Sequence, residues 1–230
     1  PKQNILLECY SANLQRQQQL RYHAMMSFFE RIEPGAGKKN KRTILSSALE
    51  CFNEAGIEAT TIEMIKNRSQ SSIGAIYHHF GNKEGLVAAL FFAALSDQEQ
   101  QMNEAIGSKT TAKDTITAII DTYTRWVTQQ PDLARFMFNA SVLVSSGPHG
   151  QQLENRNKAV FSPLIALFKQ AHRSGEIHQF PPETIASILV GPAENYSRAW
   201  LAKRVAKPPV DHAASFAAAA WAAFAYQAPS

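Results

Sequence analysis

Residues 60–86 read TTIEMIKNRSQSSIGAIYHHFGNKEGL, and this stretch contains the signals that decide the fold. It begins with a capping-box pattern, in which Thr60 is the predicted N-cap and Glu63 is the third residue of the helix. The pattern predicts a short helix over about residues 61–68. A polar connection of three residues follows, which is typical of a tight turn.

The second half of the stretch adds two more helix starts. Ser72 is positioned to cap a helix over residues 73–79, because its hydroxyl can accept a hydrogen bond from a backbone N–H of the first turn. Gly81 ends this helix, and Asn82 caps a long one that continues to about residue 106. Two short helices separated by a tight polar turn are typical of a helix-turn-helix.

The sequence on both sides of this motif is also helical. Upstream, apolar residues recur on one face of a helix that ends at Gly56, namely Ile44, Leu45, Ala48, Leu49 and Phe52. Downstream, glycine and proline breaks predict helices over about 111–129, 132–145, 150–174, 182–204 and 210–226. No convincing strand pattern is present, so the predicted fold class is all-α.

Residues 1–40 form an extension whose order the sequence does not determine. Its end, Glu33–Gly37, contains a proline and two glycines, which interrupt any helix. We therefore expect residues 1–37 to be dispensable for folding. Four cations follow within residues 38–42. This cluster is either a basic arm that contacts DNA or a solvated linker, and the sequence leaves both interpretations open.

A helix-turn-helix that reads DNA needs apolar residues on its inner faces and small or polar residues on the outer face of its second helix. The apolar inner positions are Ile62, Ile65, Ile76 and Phe80. The outer positions of the second helix are Ser72, Gly74, Ala75, Tyr77 and His78. Glycine is a poor residue for a free-standing helix surface, but it lets the backbone approach a base edge or a thymine methyl closely.

The charge balance is compatible with nucleic-acid binding without establishing it. The chain has 230 residues and a formal charge of +4, whereas residues 41–90 contain five lysines or arginines and five glutamates. Affinity for DNA therefore has to come from individually placed contacts, helped by the cations at positions 38, 39, 41 and 42.

These features resemble the N-terminal domain of the TetR family of bacterial transcription regulators. The residues that carry the resemblance are Thr60-Thr61-Ile62, Ser72-Ile73-Gly74-Ala75-Ile76-Tyr77-His78-His79-Phe80 and Asn82-Lys83-Glu84-Gly85-Leu86. The resemblance is close over residues 43–90. It implies a three-helix helix-turn-helix DNA-binding domain over 41–90, joined by a long helix to a helical effector-binding and dimerisation domain over 91–230.

The resemblance also implies which residues contact DNA. Thr61 would hold a phosphate at the start of the first helix of the pair, and Lys83 would pair with a phosphate at the start of the long helix. The outer face of the second helix would meet the base edges. With the basic arm included, the predicted DNA-binding residues are Lys41, Arg42, Thr61, Ser72, Ile73, Gly74, Ala75, Tyr77, His78 and Lys83.

Two residues depart from the family pattern. Lys66 stands where the family usually has a small alanine, and we expect its long side chain to extend toward solvent. Gln70 stands where the turn often has glycine. If Gln70 adopts the left-handed conformation, the backbone strain costs roughly 1–2 kcal/mol.

By the same resemblance, the helices after residue 90 would enclose a pocket for a small-molecule effector and form a homodimer. The predicted pocket residues are Trp126, Phe138, Phe168 and Asn195. The dimer would form through the helices over about 182–204 and 210–226, whose small residues allow close packing between subunits. Two paired reading helices suit a two-fold symmetric DNA site.

The predicted function is a sequence-specific transcriptional regulator of the cytoplasm, a repressor that an effector releases from a palindromic double-stranded DNA operator. The alternatives are an effector-independent architectural DNA-binding protein and an all-helical enzyme. The enzyme is disfavoured, because the sequence contains no histidine pair with metal-ligand spacing, no nucleophile motif and no phosphate-binding glycine loop. We predict no metal, no cofactor and no association with a membrane.

Overall fold

The computed structural model of the protein describes Gln19, residues 25–107 and residues 109–226. In these ranges the chain is helical, and the one β-type pairing is an isolated bridge between Ile177 and Ala225. The predicted all-α class is confirmed. The chain divides into two compact units, the first ending at Leu86 and the second beginning at Val87. Among the described helices, none combines the length and the apolarity that a membrane span requires.

The helices follow the predicted breaks closely. The first unit contains a helical segment over 25–32, then α1 (Lys39–Ala55), α2 (Ile62–Ser69), α3 (Ile73–Phe80) and the start of α4 (Lys83–Ile106). The second unit contains the rest of α4, then α5 (Ala112–Gln129), α6 (Pro131–Ser146), α7 (Gly150–Arg173), α8 (Pro182–Leu201) and α9 (Ala213–Phe224). Short 3₁₀ turns at Ala36–Lys38 and Pro209–His212 precede α1 and α9.

The core of the second unit forms where α5, α7, α8 and α9 bring their apolar faces together. One group of aromatic rings there consists of Phe224 with Phe168 and Phe180, whose ring centroids lie 4.9 and 4.8 Å from that of Phe224 in edge-to-face contacts. Isoleucines of α5 such as Ile116 and Ile120 are completely buried beside them. The glycine-terminated end of α7 then lets the chain turn back into α8.

The first unit is held together by the apolar stripe of α1 and by the described part of the extension. Phe28 and Phe29 are 0% exposed, and the hydroxyl of Ser46 in α1 lies 3.8 Å from the sulfur of Met25. This segment contributes two aromatic rings to the core, which argues against the expectation that residues 25–37 are dispensable for folding. Residues 1–18 and 20–24 lie outside the described ranges.

Candidate nucleic-acid interface

The start of α2 differs by one residue from the predicted capping box. Thr61 is the N-cap, and its hydroxyl accepts a hydrogen bond from the N–H of Met64 at 3.2 Å. Thr60 is fully buried, and its hydroxyl instead lies 3.1 Å from the carbonyl of Cys51 and 2.7 Å from that of Gly56. The single proton of the Thr60 hydroxyl is thus directed at the end of α1, where the Gly56 carbonyl is the nearer acceptor, and Thr61 begins α2.

The caps of the next two helices are confirmed. The Ser72 hydroxyl accepts a hydrogen bond from the N–H of Ala75 at 3.0 Å, which fixes the start of α3. The Asn82 side-chain oxygen accepts one from the N–H of Gly85 at 2.7 Å, which fixes the start of α4. These short-range bonds orient α3 between two well-defined turns.

The turn between α2 and α3 contains the left-handed residue that the sequence suggested. Gln70 has φ 54° and ψ 29°, a conformation that costs a non-glycine residue roughly 1–2 kcal/mol. A hydrogen bond from the Ser71 hydroxyl to the Asn40 side chain at 2.9 Å ties this turn to α1. The turn therefore has the left-handed conformation at Gln70 although this residue is not a glycine.

Helix α3 buries one face and presents the other. Ile76 and Phe80 are buried, as predicted. On the opposite face Ile73 and Tyr77 are 40% and 47% exposed, which is high for large apolar side chains. The remaining predicted contact residues on α3 and its cap are Ser72, Gly74 and His78, which are exposed, and Ala75, which is half-buried.

Gly74 stands out on this exposed face, because the fold does not require a glycine there. It lies within α3 without a positive φ, and an added Cβ would meet nothing closer than the Ser72 hydroxyl at 3.8 Å. Gly85 shows the opposite case, since a Cβ there would come within 2.1 Å of the Phe80 carbonyl. The packing of the first unit thus requires a glycine at position 85. It does not explain the exposed glycine at position 74.

Lys83 has a different environment from the predicted phosphate contact. Its ammonium donates hydrogen bonds to three backbone carbonyls, those of Ile57, Glu58 and Thr60, at 3.1, 3.0 and 3.0 Å. Since an ammonium has three hydrogens, these carbonyls use its full donor capacity. The prediction is corrected: Lys83 fastens the loop between α1 and α2 to the start of α4.

The predicted basic arm is also engaged within the protein. Residues 39–42 belong to the first turn of α1, and two of the cations in this turn contact Glu33. The Glu33 carboxylate pairs with Lys41, and its carbonyl accepts a hydrogen bond from Arg42 at 2.7 Å. Lys41 and Arg42 therefore dock the extension onto α1, which corrects their assignment as a free arm. Lys39 is exposed, and its ammonium has no partner among the described residues.

The cations of α2 are paired in the same way. Lys66 extends to Glu63 at 2.7 Å on the helix surface, and Arg68 reaches Glu54 at 2.5 Å. Next to the exposed face of α3, burial together with nearby His78 and Lys41 lowers the pKa of His79 below its ordinary value of 6.5. The candidate interface is consequently rich in polar and apolar groups and poor in unpaired cations.

The four predicted effector residues have different environments in the described part of the second unit, and Phe168 lines a cleft there. Trp126 is 1% exposed, and its indole N–H donates to Asp97 at 2.9 Å, so its polar atom is already satisfied. Phe138 is half-buried beneath the Arg198 guanidinium, 4.1 Å from the ring centroid. Asn195 is exposed, which makes its assignment to an enclosed pocket wrong.

Comparison with known proteins agrees with this geometry. Residues 44–90 match the family model described as bacterial regulatory proteins, tetR family. The transcriptional repressor KstR2 of Rhodococcus jostii is 32% identical over 88 residues, which are 38% of this chain and 43% of the repressor. This chain thus matches less than half the length of that relative.

Solved structures extend the likeness of the fold to most of the chain. A tetR-family regulatory protein from Rhodococcus RHA1 superposes with a TM-score of 0.71 at 21% identity, covering 83% of this chain and 99% of that one. FadR from Bacillus subtilis, solved in complex with stearoyl-CoA, has a TM-score of 0.67 at 20% identity over 80% and 98% of the two chains. The helix-turn-helix region of this chain, residues 44–90, is thus similar to the DNA-binding region of the tetR family of bacterial regulatory proteins.

Proposed function

We propose that the chain is a sequence-specific transcriptional regulator that inserts α3 into the major groove of double-stranded DNA. The base-reading surface consists of Ser72, Ile73, Gly74, Ala75, Tyr77 and His78. Thr61, at the exposed N-terminus of α2, lies at the edge of the same motif and supplies a phosphate contact. The similarity of this domain to a family of bacterial regulators supports the proposal.

Gly74 is the observation that carries this proposal. A glycine inside a helix costs about 1 kcal/mol relative to alanine, and a Cβ would fit at this position. A residue that costs stability without serving the fold points to a partner that needs close access to the backbone. The exposed isoleucine and tyrosine on either side of Gly74 supply apolar contacts for a thymine methyl and for sugar edges.

The described cations limit how the protein holds the phosphates. Since Lys41, Arg42 and Lys83 are engaged internally, phosphate contacts fall to Lys39, to the Tyr77 hydroxyl and to backbone N–H groups at helix starts. Each cation that neutralises a phosphate contributes about −0.9 to the slope of log affinity against log salt. We therefore expect a shallow salt dependence per subunit.

Selection of bound duplexes from a random DNA pool tests the proposal. A two-fold dimer should return a palindrome whose half-site centres lie one helical turn apart or a multiple of it, roughly 34–36 Å. Recovery of a single asymmetric site would contradict the dimeric arrangement. Recovery of no enriched sequence would contradict sequence-specific binding and favour an architectural role.

The dimer we propose forms through α8 and α9. Helix α9 buries Ala213, Ala217, Ala220 and Phe224 in its own unit. The opposite face is exposed and carries no charge, and its residues are Ala214, Ser215, Ala218, Ala219, Ala222 and Ala223. Small side chains let two helices approach closely, so a second copy of α9 fits this face. Sedimentation should give twice the 25.4 kDa chain mass, and Ala218→Glu should give the monomer.

We further propose that a small-molecule effector binds the second unit and alters DNA affinity. One support is FadR, a protein of the same fold that was solved with stearoyl-CoA. An effector can act only through a difference in affinity between two conformations, and a coupling of about 1–3 kcal/mol changes operator affinity about 5- to 150-fold. Reciprocity provides the check, because saturating operator DNA must lower the affinity of the protein for the effector by the same factor.

A further inference from the structure

A cleft opens in the second unit where α7 ends and α8 begins. Its volume is about 180 Å³, and its wall runs from Ile165 in α7 to Ile185 in α8. This is smaller than the roughly 300–1,000 Å³ of sites for drug-sized ligands. The cleft therefore suits a small molecule rather than a drug-sized one.

One side of the cleft is apolar. Ile165, Phe168 and Ile185 belong to the core of the second unit or pack against it, so this wall is held by the fold. Removing apolar surface from water contributes about 25 cal/mol per Å². A hydrocarbon or aromatic body that entered the cleft would gain this contribution without displacing a protein side chain.

The rim of the cleft is cationic. Lys169 and Arg173 line it, and no acidic side chain is among the described lining residues. Neither Lys169 nor Arg173 has an ion-pair partner among the described residues. The nearby carboxylate of Glu176 points elsewhere, since it accepts the N–H of Ala112 at 3.0 Å at the start of α5.

We propose that this cleft binds a small organic carboxylate, with its apolar body on the wall of α7 and α8 and its anionic group between Lys169 and Arg173. Only a ligand that combines both features uses both sides of the cleft. A free inorganic anion would leave the apolar wall exposed to water, and a neutral hydrocarbon would leave Lys169 and Arg173 without an anionic partner. The proposal names a site and ligand class for the proposed effector, but the binding itself stands independently of DNA.

Calorimetric titration of the full chain without DNA tests the site, with octanoate, 1-octanol and inorganic phosphate as probes. Octanoate should bind more tightly than either other probe. The double variant Lys169→Gln/Arg173→Gln should weaken octanoate about three- to tenfold, the sum of two exposed ion pairs. The matched control Arg204→Gln/Lys207→Gln removes the same charges from an exposed loop of the same unit and should leave octanoate binding unchanged. Ile165→Trp, which fills the cleft, should abolish it.

Several results would overturn the proposal. Absence of octanoate binding, or equal weakening by both double variants, would do so. A cleft double variant that binds octanoate normally but melts earlier would show that Lys169 and Arg173 only neutralise the C-terminal dipole of α7. Binding to anionic phospholipid vesicles without binding to free octanoate would assign the cations to a lipid surface. Operator affinity is measured separately, with and without octanoate. Octanoate binding without a change in operator affinity would contradict the regulatory proposal and leave the binding site intact.

Discussion

Replacing Lys83 by methionine tests the role that the structure gives this residue. Methionine keeps a long apolar side chain but removes the ammonium, so three carbonyls of the loop between α1 and α2 lose their donor. Hydrogen bonds to a charged group contribute about 1.5–3 kcal/mol each when they are buried. Lys83 is half-exposed, and water partly replaces the lost bonds. We therefore expect the free energy of unfolding of the first unit to fall by about 2 kcal/mol.

The distribution of tryptophan makes this change measurable in one unit at a time. Trp126, Trp200 and Trp221 are the only tryptophans of the chain, and all lie after Val87 in the second unit. Urea unfolding followed by tryptophan fluorescence should therefore be unchanged in Lys83→Met. The helical circular dichroism signal should show an earlier transition that fluorescence does not detect.

Lys66→Met is the matched control in the same unit. Lys66 pairs with Glu63 on the surface, and such a pair contributes at most about 1 kcal/mol. Its loss should leave the urea midpoint nearly unchanged. The salt dependence of DNA binding completes the test, because a lysine that neutralises a phosphate contributes about 0.9 to the slope. Unchanged stability together with a slope reduced by that amount in Lys83→Met would refute the structural role.

Three further predictions concern the same unit. Phe28→Ala should lower the free energy of unfolding, measured with urea, by about 3 kcal/mol. An unchanged urea midpoint would instead support the expectation that the extension is dispensable for folding. Gln70→Gly should raise the free energy of unfolding by about 1 kcal/mol, because glycine relieves the left-handed strain. A loss of stability would mean that the Gln70 side chain stabilises the fold by more than the backbone strain costs. Because the pKa of His79 is lowered in the folded state, the unfolded state binds its proton more tightly, so stability should fall as pH drops through about 6.5. His79→Gln should flatten that dependence in unfolding measured from pH 5 to 8.

The local signals of the sequence were sufficient for the helices and most of their caps. Ser72 and Asn82 cap their helices as predicted, since capping bonds join residues three apart and need no knowledge of the tertiary structure. The choice between Thr60 and Thr61 was wrong, because it depends on carbonyls near the end of α1 that are contacted only in the folded unit.

Long-range contacts account for the other errors. The roles of Lys83, Lys41 and Arg42 depend on partners between 7 and 26 positions away in the chain, which charge counting cannot identify. The docking of the extension was missed for the same reason, although its two adjacent phenylalanines were visible in the sequence. In the second unit, one of the four predicted pocket residues, Phe168, lines the cleft, but the two cations of its rim, at the end of α7, were not predicted.

The affinity of Gly74→Leu for the selected duplex tests the central claim most directly, with Ala55→Leu as the control. Both positions are exposed in helices of the first unit, and leucine is a better helix former than glycine, so the folded unit should keep its stability. If α3 enters the groove at Gly74, the leucine should push it away and reduce affinity toward the non-specific level, a loss of about 10³-fold, while Ala55→Leu binds as wild type. Wild-type affinity in a folded Gly74→Leu protein would contradict the account.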